Sequence, residues 1–293
     1  MTRALSSSPN DLLSKAIDLA IKGNPRPLYD LLTRGSGLPG PRHSAALLEA
    51  FAAESRSRGA PVDRLLIQLA MLDPDAAPGA TPLEFLPMCG VAGIAARATT
   101  DDASSPKLLE ALHDCADDMR FRVRETVMAG LAEIGARRGD KLVVALSGWT
   151  DGFFHAAAVV GALSDTSWLS QIKSPDNVLA RLDEAFVLAR DATRAADRYP
   201  GHKALLDALN KTPAHVAARF GVPVFDLLVR WSVAKDPPLR EVVENGVRGT
   251  RLAGRFANEI ARVRAALAAT EPTRRDPRSY VGPTRGRGAK RRR

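Results

Sequence analysis

The stretch DDMRFRVRETVMAGLAEIG, residues 117–135, holds the pattern from which the fold follows. At about 100° per residue, Val123, Val127, Leu131 and Ile134 fall on one stripe of a helix, with Arg124 beside it and Arg122 nearly opposite. Arg124 is thereby placed to pair with Asp118 or with an acid of a neighbouring repeat, since a guanidinium beside a core is usually paired. Arg122 faces outward and is free to contact a ligand. Arg120 lies in the first turn, where periodicity does not fix its direction. The apolar half of the stretch recurs: VMAGLAEIG from Val127 has counterparts in GVAGIAARA from Gly90 and AVVGALSD from Ala158. Recurrence every 30–40 residues or so marks a solenoid of helix pairs, each unable to bury its apolar face alone.

The rest of the chain agrees with a helical reading. Of 293 residues, 45% are hydrophobic but only 5% aromatic, with alanine and leucine abundant, so a real core forms and helix is the default. The segment PNDLLSKAIDLAIKGNPRP puts Leu12, Leu13, Ala16, Ile17 and Ala20 on one face and stops at Gly23 before Pro25. Further breaks fall at residues 35–41, 73–82, 174–177, 199–201 and 235–238, and no strand alternation survives between them. The expected organisation is an N-terminal helical cap over residues 1–80, helical repeats over 81–270 and a disordered Arg-rich tail over 271–293. No window reaches about 18 uninterrupted apolar residues, and the N-terminus lacks a charged head before an apolar run, so a cytoplasmic protein without membrane contact is expected. Cys89 and Cys115 make neither a disulfide framework nor a zinc set.

The net charge of +9 is unevenly spread. Residues 271–293 carry nine Lys/Arg against Glu271 and Asp276, a net +7, which leaves +2 for the body. Such an arm, ending in Arg291, Arg292 and Arg293, neutralises phosphate without reading sequence. Within the body, Leu252, Phe256, Ile260, Val263 and Leu267 form an apolar stripe, and Arg248, Arg251, Arg255 and Arg262 line up beside it if the helix is continuous. A second ladder, Arg190, Arg194 and Arg198, lies close to Asp183, Asp191 and Asp197, which points to surface pairing.

The residues around Asp118 resemble the HEAT-repeat family, in which an aspartate is followed by Val-Arg and an apolar second helix, here Asp118, Val123 and Arg124. WSVAKDPPLREVVENGVRG, residues 231–249, is similar, with Asp236 at the turn and the arginine early, at Arg240. GWTDGFFHAAAVVGALSD, residues 148–165, is similar with Asp151 and no arginine. The resemblance implies an all-α, right-handed α-solenoid over most of residues 10–270. More remotely, the layout resembles the HEAT-like alkylpurine DNA glycosylases. That likeness implies tryptophans and a carboxylate around a damaged nucleotide, which directs attention to Trp149 with Asp151, Trp168 with Asp165, and Trp231 with Asp236 as base-stacking and catalytic candidates. Asp151 and Asp236 also sit where a helix N-cap belongs, and a tryptophan in so poorly aromatic a chain is more often core.

Other chemistry lacks a signature: no P-loop, dinucleotide fingerprint, nucleophile elbow or HExxH is present. His43, His113, His155, His202 and His215 are scattered, apart from the Glu110/His113 spacing, so no metal and no cofactor are expected. Two functions remain. One is a nucleic-acid-binding solenoid that contacts the DNA backbone through Arg122, Arg248, Arg251, Arg255, Arg262 and the tail, and recognises or excises alkylated bases. The other is a non-enzymatic protein-interaction scaffold, for which a groove of mixed charge with exposed apolar ridges is expected.

Overall fold

The computed structural model describes residues 9–100 and 102–270. Among these there are seventeen α-helices, joined by turns and short 3-10 segments, and no strand. In chain order they are α1 Pro9–Ile21, α2 Arg26–Gly35, α3 Ala45–Arg58, α4 Asp63–Ala70, α5 Phe85–Ala98 and α6 Ser105–Ala116. There follow α7 Phe121–Arg138, α8 Asp140–Ala145, α9 Phe153–Ala162, α10 Thr166–Gln171, α11 Asp176–Arg190 and α12 Pro200–Leu209. The last are α13 Thr212–Phe220, α14 Val222–Trp231, α15 Pro237–Gly246, α16 Thr250–Arg255 and α17 Ala257–Ala269. No helix among the described residues is long and apolar enough to cross a membrane.

The chain is an all-α solenoid. A central row, α3–α5–α7–α9–α12, packs each member on the next, and the other helices flank it. Among the described residues, none of α1 to α5 packs closely on any of α12 to α17, so each part of the core is local to a few consecutive helices. A deeply buried member of the row is α5, where Phe85, Met88, Cys89, Val91, Ile94 and Ala95 are all buried and residues on every side are covered. A helix that is apolar all round can exist only inside such a stack.

The recurrent small residues are the crossing points of this row. A Cβ at Gly93 would lie 2.5 Å from Leu66 Cδ2, one at Gly130 would lie 2.7 Å from Ala95 Cβ, and one at Gly161 would lie 2.4 Å from Met128 Sδ. Each glycine of the repeated segments therefore presses against an earlier helix of the stack. Gly90 is tighter still, with its missing Cβ 2.3 Å from the backbone nitrogen of Ala70.

Arg120, not Arg124, ties the opening motif together. Its Nε donates to Asp118 Oδ1 at 2.8 Å, and its terminal nitrogens reach the carbonyls of Ala77 at 2.9 Å and Leu72 at 2.8 Å. Arg124 instead donates to the backbone carbonyl of Asp118, and its guanidinium lies 4.0 Å from the centre of the Phe154 ring. Arg120 has only 5% of its surface exposed, because Asp118, the Leu72 carbonyl just past α4 and the Ala77 carbonyl in the following turn converge on its fork.

Two expected ladders do not form. The helix over residues 248–267 breaks at Phe256, with φ −133° and ψ 39°, because that ring turns inward to pack 5.2 Å from Phe225 and against Gly221. Arg248 and Arg255 are thereby separated from Arg262. Likewise α11 ends at Arg190, and residues 194–198 form a 3-10 turn, so spacing of four no longer aligns Arg190 with Arg198.

Glycine crossings make a directional prediction. Gly90→Ala forces a methyl into the backbone of α4 and is expected to cost about 2 kcal/mol or more, whereas Gly254→Ala meets nothing within 4 Å. The second change should stabilise by about 0.5–1 kcal/mol through helix propensity alone. Urea unfolding followed by circular dichroism measures both, and equal effects would refute the assignment of Gly90 as a crossing point.

Candidate functional site

The arginines expected to face a ligand are engaged within the protein. Arg122 Nη1 is 3.1 Å from Glu84 Oε2, and Glu84 itself is 2% exposed. Arg248 pairs with Glu244 at 2.9 Å on the preceding helix turn, and Arg262 pairs with Asp226. Arg255 donates to the Ala218 carbonyl at 3.2 Å and lies over the Phe256 ring. The side chains of Arg194 and Arg251 lie outside the described residues, as do Arg291, Arg292 and Arg293 and the whole segment 271–293 expected to be disordered.

The three tryptophan–aspartate pairs land in different settings. Trp168 is fully buried, stacked against the bare Cα of Gly135, and its indole N–H donates to the Gly139 carbonyl at 3.3 Å. Asp165 caps α10, accepting from the Trp168 amide at 2.9 Å. Both are occupied in building the junction of α7 and α10. Trp231 borders an open groove of about 510 Å³ lined by Asp183, Arg190, Arg230, Lys235 and Asp236. Its ring stacks on Phe186 at 4.9 Å, carries the Arg190 guanidinium at 5.5 Å, and donates from Nε1 to Asp183 at 2.7 Å. Asp236 stands at the N-cap position of α15 without a side-chain capping bond. Three cations and two carboxylates share this groove, so its charge is mixed.

Trp149 and Asp151 meet two histidines. Asp151 lies in the turn before α9, His155 in the first turn of α9, and His113 in the last turn of α6. His113 Nε2 is 3.1 Å from Asp151 Oδ1, and His155 Nδ1 is 3.0 Å from the same oxygen. The imidazoles stack at 3.9 Å and 12°, with Trp149 edge-on to both. A neighbouring groove of about 390 Å³ is lined by Leu109, Glu110, Arg138 and Trp149. Glu110 thus faces the groove beside the histidines. Periodicity brings Asp151 to His155, but the partnership with His113 depends on how α6 packs on α9 and is not written in local spacing.

An aromatic edge escaped the sequence reading. Met119 and Phe121 are 84% and 62% exposed, and Tyr199 is 43% exposed, all at the N-terminal ends of α7 and α12. Phe154, at the start of α9, lies 5.6 Å from Tyr199, and Phe153 lies 6.2 Å from it. Arg124 bridges Phe121 and Phe154, and the Tyr199 hydroxyl donates to Asp117 Oδ1 at 3.4 Å. Burial lowers the proton affinity of the Arg124 guanidinium, with Asp118 and Asp117 acting in the opposite sense. Burial, then Asp117, raises that of the Tyr199 hydroxyl. Met119 and Phe121 were visible as apolar residues outside the stripe of the opening stretch, which is the signal that marks them.

The cysteines supply no nucleophile here. Cys115 is pushed up to about 12, chiefly by burial, and burial also raises Cys89 well above its ordinary value.

No protein-family model matches the chain, and no curated protein matches it significantly. Among solved structures, a designed armadillo repeat protein is similar over 82% of this chain and 99% of its own, at 14% identity and a TM-score of 0.32. A likeness so slight carries no argument about activity or ligand.

The aspartates are separable by stability. Asp165→Ala removes a cap and is expected to cost about 1 kcal/mol. Asp236→Ala, which breaks no capping bond, should stay within about 0.5 kcal/mol of the parent. Chemical denaturation of the two variants checks this, and an inverted order would contradict the capping assignment.

Proposed function

We propose that this protein is a non-enzymatic interaction scaffold that docks an apolar, aromatic-bearing segment of a partner protein on the edge formed by the N-terminal ends of α7, α9 and α12. The observation that carries this reading is the contiguous exposure of Met119, Phe121 and Tyr199 around Arg124. Large apolar side chains left together in water are costly to maintain and mark contact surfaces. Tyrosine and arginine, with aromatic neighbours to hold them, are the side chains over-represented among binding hot spots. The mixed charge of the Trp231 groove supports the same reading, since its guanidiniums already lie against carboxylates, Arg190 against Asp191 and Arg230 against Asp183, and offer little to phosphate.

A photo-crosslinking residue at Met119 in the full chain should capture a defined partner, and Phe121→Glu should reduce that capture about tenfold or more while leaving the helical circular dichroism unchanged. Capture of the same proteins at the same yield by the variant would overturn the edge as the docking surface.

A second reading rests on the tail. The net +7 of residues 271–293 favours attraction of DNA or another polyanion through that arm. The expected outcome is that the full chain binds duplex DNA with a strong salt dependence and that a chain ending at Thr270 does not. If residues 1–270 bind duplex DNA with a comparable salt slope, weakened by Arg262→Ala, or if the protein releases alkylpurines from methylated DNA, the scaffold reading gives way to a nucleic-acid function of the body.

A further inference from the structure

We infer that His113, Asp151 and His155 form a binding site for a single first-row divalent metal ion, with zinc the best match to the donors. This site does not rest on the docking role given to the aromatic edge. The three groups come from separate pieces of structure, the last turn of α6, the turn before α9 and the first turn of α9, and their ligand atoms all lie within 4.8 Å of one another. Two imidazole nitrogens and one carboxylate are a donor set that zinc takes with metal–ligand bonds of about 2.0–2.2 Å. Tetrahedral ligands at that radius stand roughly 3.3–3.5 Å apart. The observed separations of 3.0 and 3.1 Å from Asp151 to the two histidines are close to that edge.

Hydrogen bonding within the cluster does not fully account for it. His155 Nδ1 lies 3.0 Å from Asp151 Oδ1, yet it is closed off from solvent and no bond of acceptable angle satisfies it. A buried ring nitrogen with no hydrogen-bond partner, beside a carboxylate and a second imidazole, is what a ligating nitrogen looks like before its ion is bound. The surroundings support that use. A Cβ at Gly152 would come 2.6 Å from His155 Nδ1, so the glycine after Asp151 makes room for the imidazole. Trp149 meets both rings edge-on and gives them an apolar backing. Asp151 has 52% of its side chain exposed, so ion and water reach the site from solvent and the coordination positions beyond three are open. The stacked imidazole planes imply that one ring turns modestly about χ2 to point its lone pair at a shared ion.

The test is titration of the full, tag-free chain with zinc chloride by isothermal calorimetry, repeated with cobalt(II) and visible absorption. The expected result is saturation at one ion per chain and the intense visible bands of cobalt in a low-coordinate nitrogen and oxygen site. His113→Ala, His155→Ala and Asp151→Asn should each weaken zinc binding by about tenfold or more. Should His155→Ala fail to fold, the other two decide, because both alter partly exposed side chains. Absence of saturable binding, or affinity unchanged in His113→Ala and Asp151→Asn, overturns the site and leaves the cluster as a carboxylate hydrogen-bonded to His113 of a stacked imidazole pair.

Discussion

The close approach of helix backbones at glycine is the constraint on which this structure depends. A row of helices can bury apolar faces on both neighbours only if each crossing is tight enough to exclude a side chain. Gly93, Gly130 and Gly161 provide that proximity at successive contacts along the row, and Gly90 provides it against the flanking α4. Packing of this kind is intolerant of added volume, because the atom met at Gly90 is backbone and cannot rotate away. The recurrence of small residues seen along the chain is therefore the recurrence of a contact, and the solenoid follows from repeating it.

Arginine serves the stack in a second way. Arg120 closes on the carbonyls of Leu72 and Ala77, Arg219 on those of Leu169 and Ile172, and Arg240 on those of Ser232 and Leu267. Arg56 reaches Ala96 in the same manner. Apart from Ala77, which lies in the turn after α4, these acceptors sit at or just beyond helix C-termini, where carbonyls lack intrahelical partners and the macrodipole is negative. A guanidinium with five donors in a fixed plane satisfies two such groups from different turns at once, with its bonds held in a set geometry that a lysine ammonium lacks. Four arginines of the body thus tie helix ends to neighbouring segments.

This use explains what the sequence revealed and what it withheld. Helical class, the stripe Val123–Val127–Leu131–Ile134 and the repeat were legible because they rest on local period and on recurrence, and all four stripe residues are buried. The roles of Arg120 and Arg124 were not, because the first turn of a helix has no fixed facing, the carbonyls that hold Arg120 lie more than 40 residues away in the chain, and the Phe154 ring that Arg124 meets comes from another helix. The strip from Arg248 to Arg262 failed for a similar reason. Periodicity assumes an unbroken helix, and the inward turn of Phe256 toward Phe225 is a tertiary preference that no local propensity announces. At the sites, the pairing of Asp151 with His155 has helical spacing, whereas His113 joins them only through the packing of α6 on α9.

Charge pairing also limits how the body can act at a distance. Guanidiniums held against carboxylates, as in Arg122–Glu84 and Arg248–Glu244, behave as dipoles whose field fades faster than that of a free charge. In physiological salt, even free surface charges are screened beyond about 8 Å. The net +2 left to residues 1–270 therefore gives little long-range attraction for a polyanion, while the +7 concentrated in residues 271–293 does. Recognition by the body is left to short-range forces: apolar contact, cation–π stacking and coordination. These are the interactions proposed for the aromatic edge around Arg124 and for the His113–Asp151–His155 cluster.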